Sequence, residues 1–520
     1  MSLILGKILG SQKVSWPLWP TIRASLAGML IIIYGCASLQ PVDLPYEKAL
    51  EPAETELWTA LAAERSDNWF KLLNTGDEAL QWRLRVIDSA TRSLDLQTFL
   101  WKEDPTGLKI LRHILEAADR GVRVRLLLDD TFTVGENDMI FDIDQHPNIE
   151  YRIYNPFKRR YDSMALRYLM SLGEFSRINH RMHNKVMVAD NRAAIIGGRN
   201  LADEYFGNDS SANFRDMEVL FGGPVVKSIS RRFDEYWNSN WSFPVDRILE
   251  LPPPGKTPAA LRAWLEKNVD LGLQENQKTR RDMWLLAARS AAPGKTILMS
   301  DEPAQENPAA EDELPNQLAR ELIPWLDKAN EELILVTAYL IPTPELEGAI
   351  ERAENRGVRV RILTNSLRSN NHTAADSAYR HHVHRLIGHG AELHEVRAFA
   401  KDRSLYMLEP INNKKLGLHA KLLLIDREHT FIGSANMDPR SLRLNTEIGL
   451  LIQSTELNQR LREKLEIDFN KRNAWHLQVA DDGNIVWVAD DTVVDSQPDD
   501  SAFQRLEDWF LGTLPIEGEM

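Results

Sequence analysis

Two short stretches hold residues whose types and spacing suit chemistry on an oxyanion. They are His183-Asn184-Lys185, with Asp190 five residues beyond the lysine, and His419-Ala420-Lys421, with Asp426 at the same interval. In an extended chain a histidine and a lysine two positions apart point to one face. An imidazole beside an ammonium and a glycine-bearing turn makes a site for an anion. Lys185 and Lys421 would neutralise phosphate-like oxygens, and Asn200 and Asn436 would donate amide hydrogen bonds to the same group. Two imidazoles permit a division of labour, one attacking phosphorus and the other protonating the leaving alkoxide. Each needs an acceptor on its second ring nitrogen to hold the tautomer. Glu218, in Asp216-Met217-Glu218, and Glu447, in Asn445-Thr446-Glu447, are the candidates, each downstream of its motif. Asp190 and Asp426, at the ends of their strands, are expected to brace the lysine and the turn rather than touch substrate.

The elements that must position these groups occur twice. Arg120-Gly121-Val122-Arg123-Val124-Arg125 recurs as Arg356-Gly357-Val358-Arg359-Val360-Arg361, and Gly197-Gly198-Arg199-Asn200 recurs as Gly433-Ser434-Ala435-Asn436. These pairs and the two His-x-Lys motifs share a single offset of 236 residues. Three motifs in one register mark two homologous halves. Each half opens with a helical pattern (Glu78–Ser93, Leu318–Asn330) and a β-rich run (Leu94–Trp101, Leu333–Ile341). A second helix ends at the Arg-Gly pair, where Gly121 and Gly357 suit a C-cap. The apolar runs Val122–Leu128 and Val358–Leu363 read as buried parallel strands. The pattern predicts an α/β sandwich in each half, with the His-x-Lys segments entering further strands at Lys185–Ala189 and Lys421–Ile425.

The rest of the chain frames these halves. Its 520 residues are too many for one ordinary domain, and 43% hydrophobic with 27% charged residues is globular composition. A net charge of −14 makes it a poor candidate for wrapping a nucleic-acid backbone. One cysteine permits neither an intramolecular disulfide nor a cysteine-based zinc cage. That cysteine, Cys36, closes an uncharged stretch after Lys7, Lys13 and Arg23, with its apolar peak at Met29-Leu30-Ile31-Ile32-Ile33. A basic region followed by a short apolar one reads as a secretory signal, since a spanning helix needs about 20 apolar residues. Ile33-Tyr34-Gly35-Cys36-Ala37-Ser38 resembles a bacterial lipobox, departing from it at Tyr34. The segmentation that follows is a signal peptide over 1–35 with Cys36 as the lipidation site and an amino-terminal linker or helix over 37–74. The two halves occupy 75–240 and 317–480, separated by a Pro- and acid-rich linker over 241–316 with a helix near Pro258–Val269. A carboxy-terminal tail, 481–520, completes the chain. The alternative for residues 1–35 is an uncleaved amino-terminal anchor.

The pattern His-x-Lys-x4-Asp-x6-Gly-(Gly/Ser)-x-Asn, complete in both copies, resembles the hallmark of the phospholipase D superfamily. The similarity runs over about 75–480, including Tyr154-Asn155-Pro156-Phe157, Arg181-Met182-His183 and Asp438-Pro439-Arg440-Ser441. It is most like the bacterial cardiolipin synthases of the C type. The resemblance implies two α/β/α sandwich halves packed with pseudo-two-fold symmetry around one shared active site. It implies His183 as nucleophile, forming a phosphatidyl-histidine, and His419 as general acid, with Lys185, Asp190, Lys421 and Asp426 completing the motifs and with no metal or cofactor. The expected activity is a phosphatidyltransferase making cardiolipin from phosphatidylglycerol and a second phospholipid. The alternative is hydrolysis of phospholipids by the same site, or less readily of nucleic acid; a third reading is a non-catalytic envelope lipoprotein that binds anionic lipid. Phospholipid substrates and membrane association, as a lipoprotein with its body in the periplasm, complete the expectation; oligomeric state is left open.

Two other features attract attention. His372, His381, His382, His384, His389 and His394 lack the spacing of a zinc helix and read as a polar helix face and loop. Residues 151–185 carry eight Lys or Arg against Asp162 and Glu174. Within them Tyr161, Met164, Ala165, Tyr168, Leu169, Leu172 and Phe175 form a helical stripe. A core-facing helix is the default for such a stripe. The alternative is an interfacial helix that admits lipid.

Overall fold

A computed structural model describes residues 39–249, 257–304 and 314–499. Cys36, the lipobox and most of the tail, including Trp509 and Phe510, lie outside the described residues.

The repeat becomes two mixed sheets built on one plan. In the first half three parallel strands, Ser93–Thr98, Arg123–Asp129 and Ile149–Tyr154, lie side by side. The antiparallel strands Val186–Ala189, Ala193–Gly197 and Glu218–Gly222 extend the sheet on the other side of Ser93–Thr98. The second half repeats this with Glu332–Val336, Arg359–Asn365 and Glu392–Val396 parallel, then Leu422–Ile425, His429–Gly433 and Ile448–Gln453 antiparallel. Parallel neighbours demand crossover helices, and the local sequence supplies their ends. Asp104 and Thr343 accept the hydrogen bonds of Gly107 N and Leu346 N as N-caps, each ahead of a first-turn proline. The helices Pro105–Asp119 and Pro344–Asn355 then stop at Gly121 and Gly357, whose φ values of +91° and +84° favour glycine.

Each sheet is covered on both faces. Helices Gly76–Ser89 and Pro105–Asp119 close the outer core of the first half, and Pro344–Asn355 with Thr373–His389 close that of the second. The inner faces share one core, in which Val188, Ile196 and Val219 meet Ile334, Leu424 and Leu450, together with residues of helices Val225–Trp237 and Thr455–Phe469. The architecture is therefore two α/β/α sandwiches packed sheet to sheet. Strands Lys415–Leu418 and Ala212–Arg215 pair in parallel across the junction, and Met182 bridges Thr446 at the counterpart place.

Several regions differ from the sequence reading. The predicted helix over Leu318–Asn330 is α-helical only over Gln317–Leu322 and continues as a 3₁₀ stretch, Ile323–Lys328, because Pro324 has no N–H to donate. The segment 241–316 is more than a linker. Besides the helix Pro258–Asn268 it holds the helix Gln277–Ser290, and Lys295–Ser300 pairs along Ile448–Gln453 as an edge strand of the second sheet. Trp69–Leu73, from the stretch read as an amino-terminal linker, joins the first sheet beside Glu218–Gly222. Ile485–Val488, in the tail, extends the second sheet, where Trp487 Nε1 donates to Glu395 at 2.8 Å. The basic apolar stripe spans two short helices, Met164–Met170 and Phe175–Asn179, and only partly meets the core. Tyr161, Met164 and Tyr168 are half-buried, with Tyr168 against Phe157 at 5.2 Å, while Ala165, Leu169, Leu172 and Phe175, and Leu166 and Met170 beside them, are exposed. Of the six singled-out histidines, His382 and His394 are buried, and among the described residues no group of three or more His, Cys, Asp or Glu is arranged to hold a metal ion.

Candidate active site

Both His-x-Lys motifs lie just before short buried strands, Val186–Ala189 and Leu422–Ile425, at the junction of the halves. Their backbones are pinned from across it. His183 N donates to Thr446 O at 2.9 Å, and His419 N donates to Arg215 O at 2.8 Å. This pairing also delivers the acids. Glu447, next to Thr446, places its carboxylate 2.9 Å from Nδ1 of His183, and Asp216, next to Arg215, places its own 2.7 Å from Nδ1 of His419. Each half thus holds the other half's histidine, leaving Nε2 of each ring for chemistry.

Glu218, expected to support a histidine, does something else. Its carboxylate lies between Arg83, at 2.7 Å from Nη1, and Arg199, at 3.1 Å, in a fully buried cluster. Asp216 holds the histidine in its place. The strand register gives the reason: Glu218 lies opposite Gly197, whereas Gly449 lies opposite Gly433. Glu447 is therefore the counterpart of Asp216, and the 236-residue offset shortens to 231 after the glycine turn. Pairing Glu218 with Gly449 would have revealed the shift from sequence. Pairing acids with the histidine of their own half missed the crossover as well.

The glycine turns complete each cradle. A Cβ on Gly198 would stand 2.7 Å from both carboxylate oxygens of Asp216, so only glycine admits that carboxylate. At the equivalent place Ser434 donates its hydroxyl to Glu447. The lysines reach back to their own motifs: Lys185 Nζ and Lys421 Nζ each donate to the carbonyl of their histidine at 2.6 Å. The side chains of Asn200 and Asn436 are buried at the ends of the turns, and each Oδ1 lacks a hydrogen-bond partner. Nδ2 of Asn200 donates to Tyr205 Oη at 2.8 Å. Rotating that amide would let the tyrosine hydroxyl donate to Oδ1 and turn the N–H groups toward an anion.

Asp190 and Asp426 sit away from the lysines, in left-handed turns (φ +53° and +50°) at the far ends of their strands. Asp190 accepts from Trp58 Nε1, Thr91 Oγ1 and the backbone N–H groups of Thr91, Arg92 and Ser93. Asp426 accepts from the N–H groups of Asn330, Glu331 and Glu332. Both anchor the loop that feeds the first parallel strand, so they brace a turn without touching the lysine.

Burial sets the protonation of the site. It pushes the His183 and His419 imidazoles well below their usual range, and Lys185 and Lys421 reinforce the shift. It lowers Lys185 to about 7 against the pull of Glu447, and Lys421 to about 8 against the pull of Asp216. It raises Glu447 to about 7 and moves Asp216 upward. An anionic ligand would restore both ammonium charges and favour an imidazolium. Aromatic walls, which the motif reading did not include, differ between the half-sites: Phe99 packs edge-on to His183 at 4.9 Å, while Tyr205 and Phe214 flank His419 at 4.9 and 5.4 Å.

Two histidine–lysine motifs, brought together by homologous α/β/α halves and cross-braced by carboxylates, define an enzyme of phospholipase D type. The chain belongs to that superfamily. Residues 84–237 and 322–469 match the family model described as cardiolipin synthase, PLD-like domain. The chain is 34% identical over 457 residues to cardiolipin synthase C of Escherichia coli, covering 85% of this chain and 93% of that protein. It is 32% identical over 497 residues to an uncharacterized protein of Helicobacter pylori, covering 93% and 96%. The crystal structure of phosphatidylserine synthase of Haemophilus influenzae shares the fold, with a TM-score of 0.52 and 13% identity over 81% of this chain and 92% of that one.

Proposed function

We propose that this enzyme is a phosphatidyltransferase that makes cardiolipin from phosphatidylglycerol and a second phospholipid through a phosphatidyl-histidine. The observation that carries the reading is the crossed pair of carboxylates, at 2.9 and 2.7 Å from the Nδ1 atoms of His183 and His419. A neutral ring that donates its Nδ1–H hydrogen bond to a carboxylate keeps a lone pair on Nε2. His183 Nε2 attacks phosphorus of the donor lipid, a P–N bond forms, and the P–O bond to the headgroup breaks. His419, protonated once the substrate anion is bound, gives its Nε2 proton to the departing alkoxide. A hydroxyl of phosphatidylglycerol then enters, loses its proton to His419 and attacks phosphorus, releasing His183. Lys185, Lys421, Asn200 and Asn436 stabilise the charge on the non-bridging oxygens throughout. The similarity to cardiolipin synthase C supports a lipid acceptor over water. The lipobox-like Cys36 supports a membrane-tethered lipoprotein with its body in the periplasm, the place such an anchor would hold it. Among the described residues no helix is long and apolar enough to cross a membrane.

The test is a rapid quench with phosphorus-labelled donor phospholipid and unlabelled phosphatidylglycerol, paired with lipid analysis of cells with and without expression. Wild type should give an acid-labile, alkali-stable adduct on His183 and raised cellular cardiolipin. Full turnover by His183→Ala, or phosphatidic acid as the sole product, would overturn the reading.

A further inference from the structure

Two loop segments at one end of the sheets carry clusters of exposed apolar side chains. The first-half segment that joins the third parallel strand to the histidine motif carries Leu166, Leu169, Met170, Leu172 and Phe175, which are 37–56% exposed. The equivalent segment of the second half carries Phe399, Leu405 and Leu408, which are 37–54% exposed. Both segments leave the carboxyl end of a parallel strand, so both lie toward the end of the sheets where the histidines sit.

The first of these segments is exposed yet firmly mounted. Arg167 is buried and donates to Thr133 O at 3.2 Å, and Arg160 donates to Thr133 Oγ1 at 2.9 Å. These bonds tie the helix Met164–Met170 to the loop that bears Phe132, itself 43% exposed. Phe132 packs against Phe99 at 5.3 Å, and Phe99 packs against His183 at 4.9 Å. Aromatic side chains therefore lead from the outer apolar surface to the proposed nucleophile.

We propose that this apolar lip, Met164–Phe175 with Phe132, seats the enzyme on the interface of an anionic phospholipid bilayer. Three observations select that occupant. Exposed bases occur on both segments, Lys158 and Arg159 beside Asp162 in the first and Lys401 and Lys414 beside Glu409 in the second, in a chain of net charge −14, whereas Arg152, Arg167, Arg181 and Lys185 are buried. Basic residues around an apolar face complement anionic headgroups. Next, Leu39 N donates to Glu174 Oε1 at 2.7 Å, within the lip. Cys36 is three residues from Leu39, and three residues span at most about 11 Å, so an acylated Cys36 would enter the bilayer beside this surface. Third, packed aromatic rings connect the lip, through Phe132 and Phe99, to His183, which places the lip beside the site a membrane lipid would have to reach.

This inference rests on the phosphatidyltransferase reading, and the experiment separates the two. The full chain, in a Cys36→Ala background so that one introduced cysteine is labelled, carries an environment-sensitive fluorophore at Leu172→Cys or, as a control, at the exposed Leu286→Cys on the helix Gln277–Ser290. With vesicles of phosphatidylglycerol and phosphatidylethanolamine, only the Leu172 label should shift to the blue, and vesicles of phosphatidylcholine alone should give a smaller shift. Leu169→Asp/Phe175→Asp should lower kcat/KM on vesicles by about ten- to hundredfold per residue, leaving turnover of monomeric short-chain phosphatidylglycerol within about twofold. No shift at position 172, equal loss on both substrates, or a shift that needs only higher protein concentration, as for a second copy of this chain, would overturn the lip. Insertion of the label with no phosphatidyl transfer on either substrate would leave the lip standing and overturn the catalytic reading.

Discussion

Asp216→Asn should separate catalysis from folding. The Asp216 carboxylate lies 2.7 Å from Nδ1 of His419, and Lys421 Nζ lies 3.1 Å from the same nitrogen. A proposed general acid must become an imidazolium, and only Asp216 offsets the neighbouring ammonium at that edge of the ring. At 2.7 Å a unit charge pair is worth about 1.5 kcal/mol in a water-like dielectric and about 6 kcal/mol at an effective dielectric of about 20. Loss of a charge-assisted hydrogen bond to a buried partner lies between these, at about 3–5 kcal/mol once the uncompensated Lys421 is included. That corresponds to roughly a hundredfold to several-thousandfold in kcat/KM. The amide has the shape of the carboxylate it replaces, and Lys421, lowered to about 8 by burial, can shed its proton where a guanidinium cannot, so the unfolding temperature should fall less than in the comparison that follows. Glu218→Gln is the matched comparison. Glu218 touches no catalytic ring, but it sits buried between Arg83 and Arg199. Removing its charge strands two buried guanidinium groups at a cost of about 3–5 kcal/mol, or roughly 3–5 °C in Tm for a chain of this length, with kcat of the folded protein largely kept. The assay is steady-state formation of cardiolipin from labelled phosphatidylglycerol and the donor lipid, alongside calorimetry of both variants. Reversed phenotypes, with Glu218→Gln inactive at unchanged Tm and Asp216→Asn active, would refute the crossed assignment.

The pH profile should follow the lysines. Because burial lowers Lys185 to about 7 and Lys421 to about 8, their charges are present below those values and lost above them. The free enzyme's kcat/KM should therefore fall as pH rises through about 7–8, whereas kcat should fall at higher pH because the bound anion holds both protons; coincident limbs would contradict this. On the acid side, the histidines are held well below their usual range, so no loss from imidazole protonation is expected near pH 6. Asp190→Ala should act on stability alone, since five donors lose their acceptor far from the lysine. A loss of roughly 3 kcal/mol with kcat within about threefold is expected by chemical denaturation and initial rates, and a large kcat defect in fully folded protein would contradict it.

The sequence by itself determined the class of protein. A histidine, a lysine and a glycine turn at fixed spacing are local requirements, and their recurrence at one offset of 236 residues reveals two halves whatever the packing. The parallel strands and their crossover helices were legible for the same reason: caps such as Asp104-Pro105 and Gly121, and apolar runs such as Val122–Leu128, act through residues a few positions away. Tertiary structure decided which acid serves which histidine. The partners are 264 and 203 residues apart and come from opposite halves, and the register of Glu218 against Gly197 but Gly449 against Gly433 moves the acid by two positions. It also decided that Trp69–Leu73 and Lys295–Ser300, outside the motifs, complete the two sheets, since strand pairing is set by edges that become available only when the sheets form. The stripe from Met164 to Phe175 makes the same point at the surface. Periodicity shows that one face is apolar; whether that face meets a core or stays exposed depends on what the rest of the chain places opposite it, and here Leu169 and Leu172 remain more than half exposed.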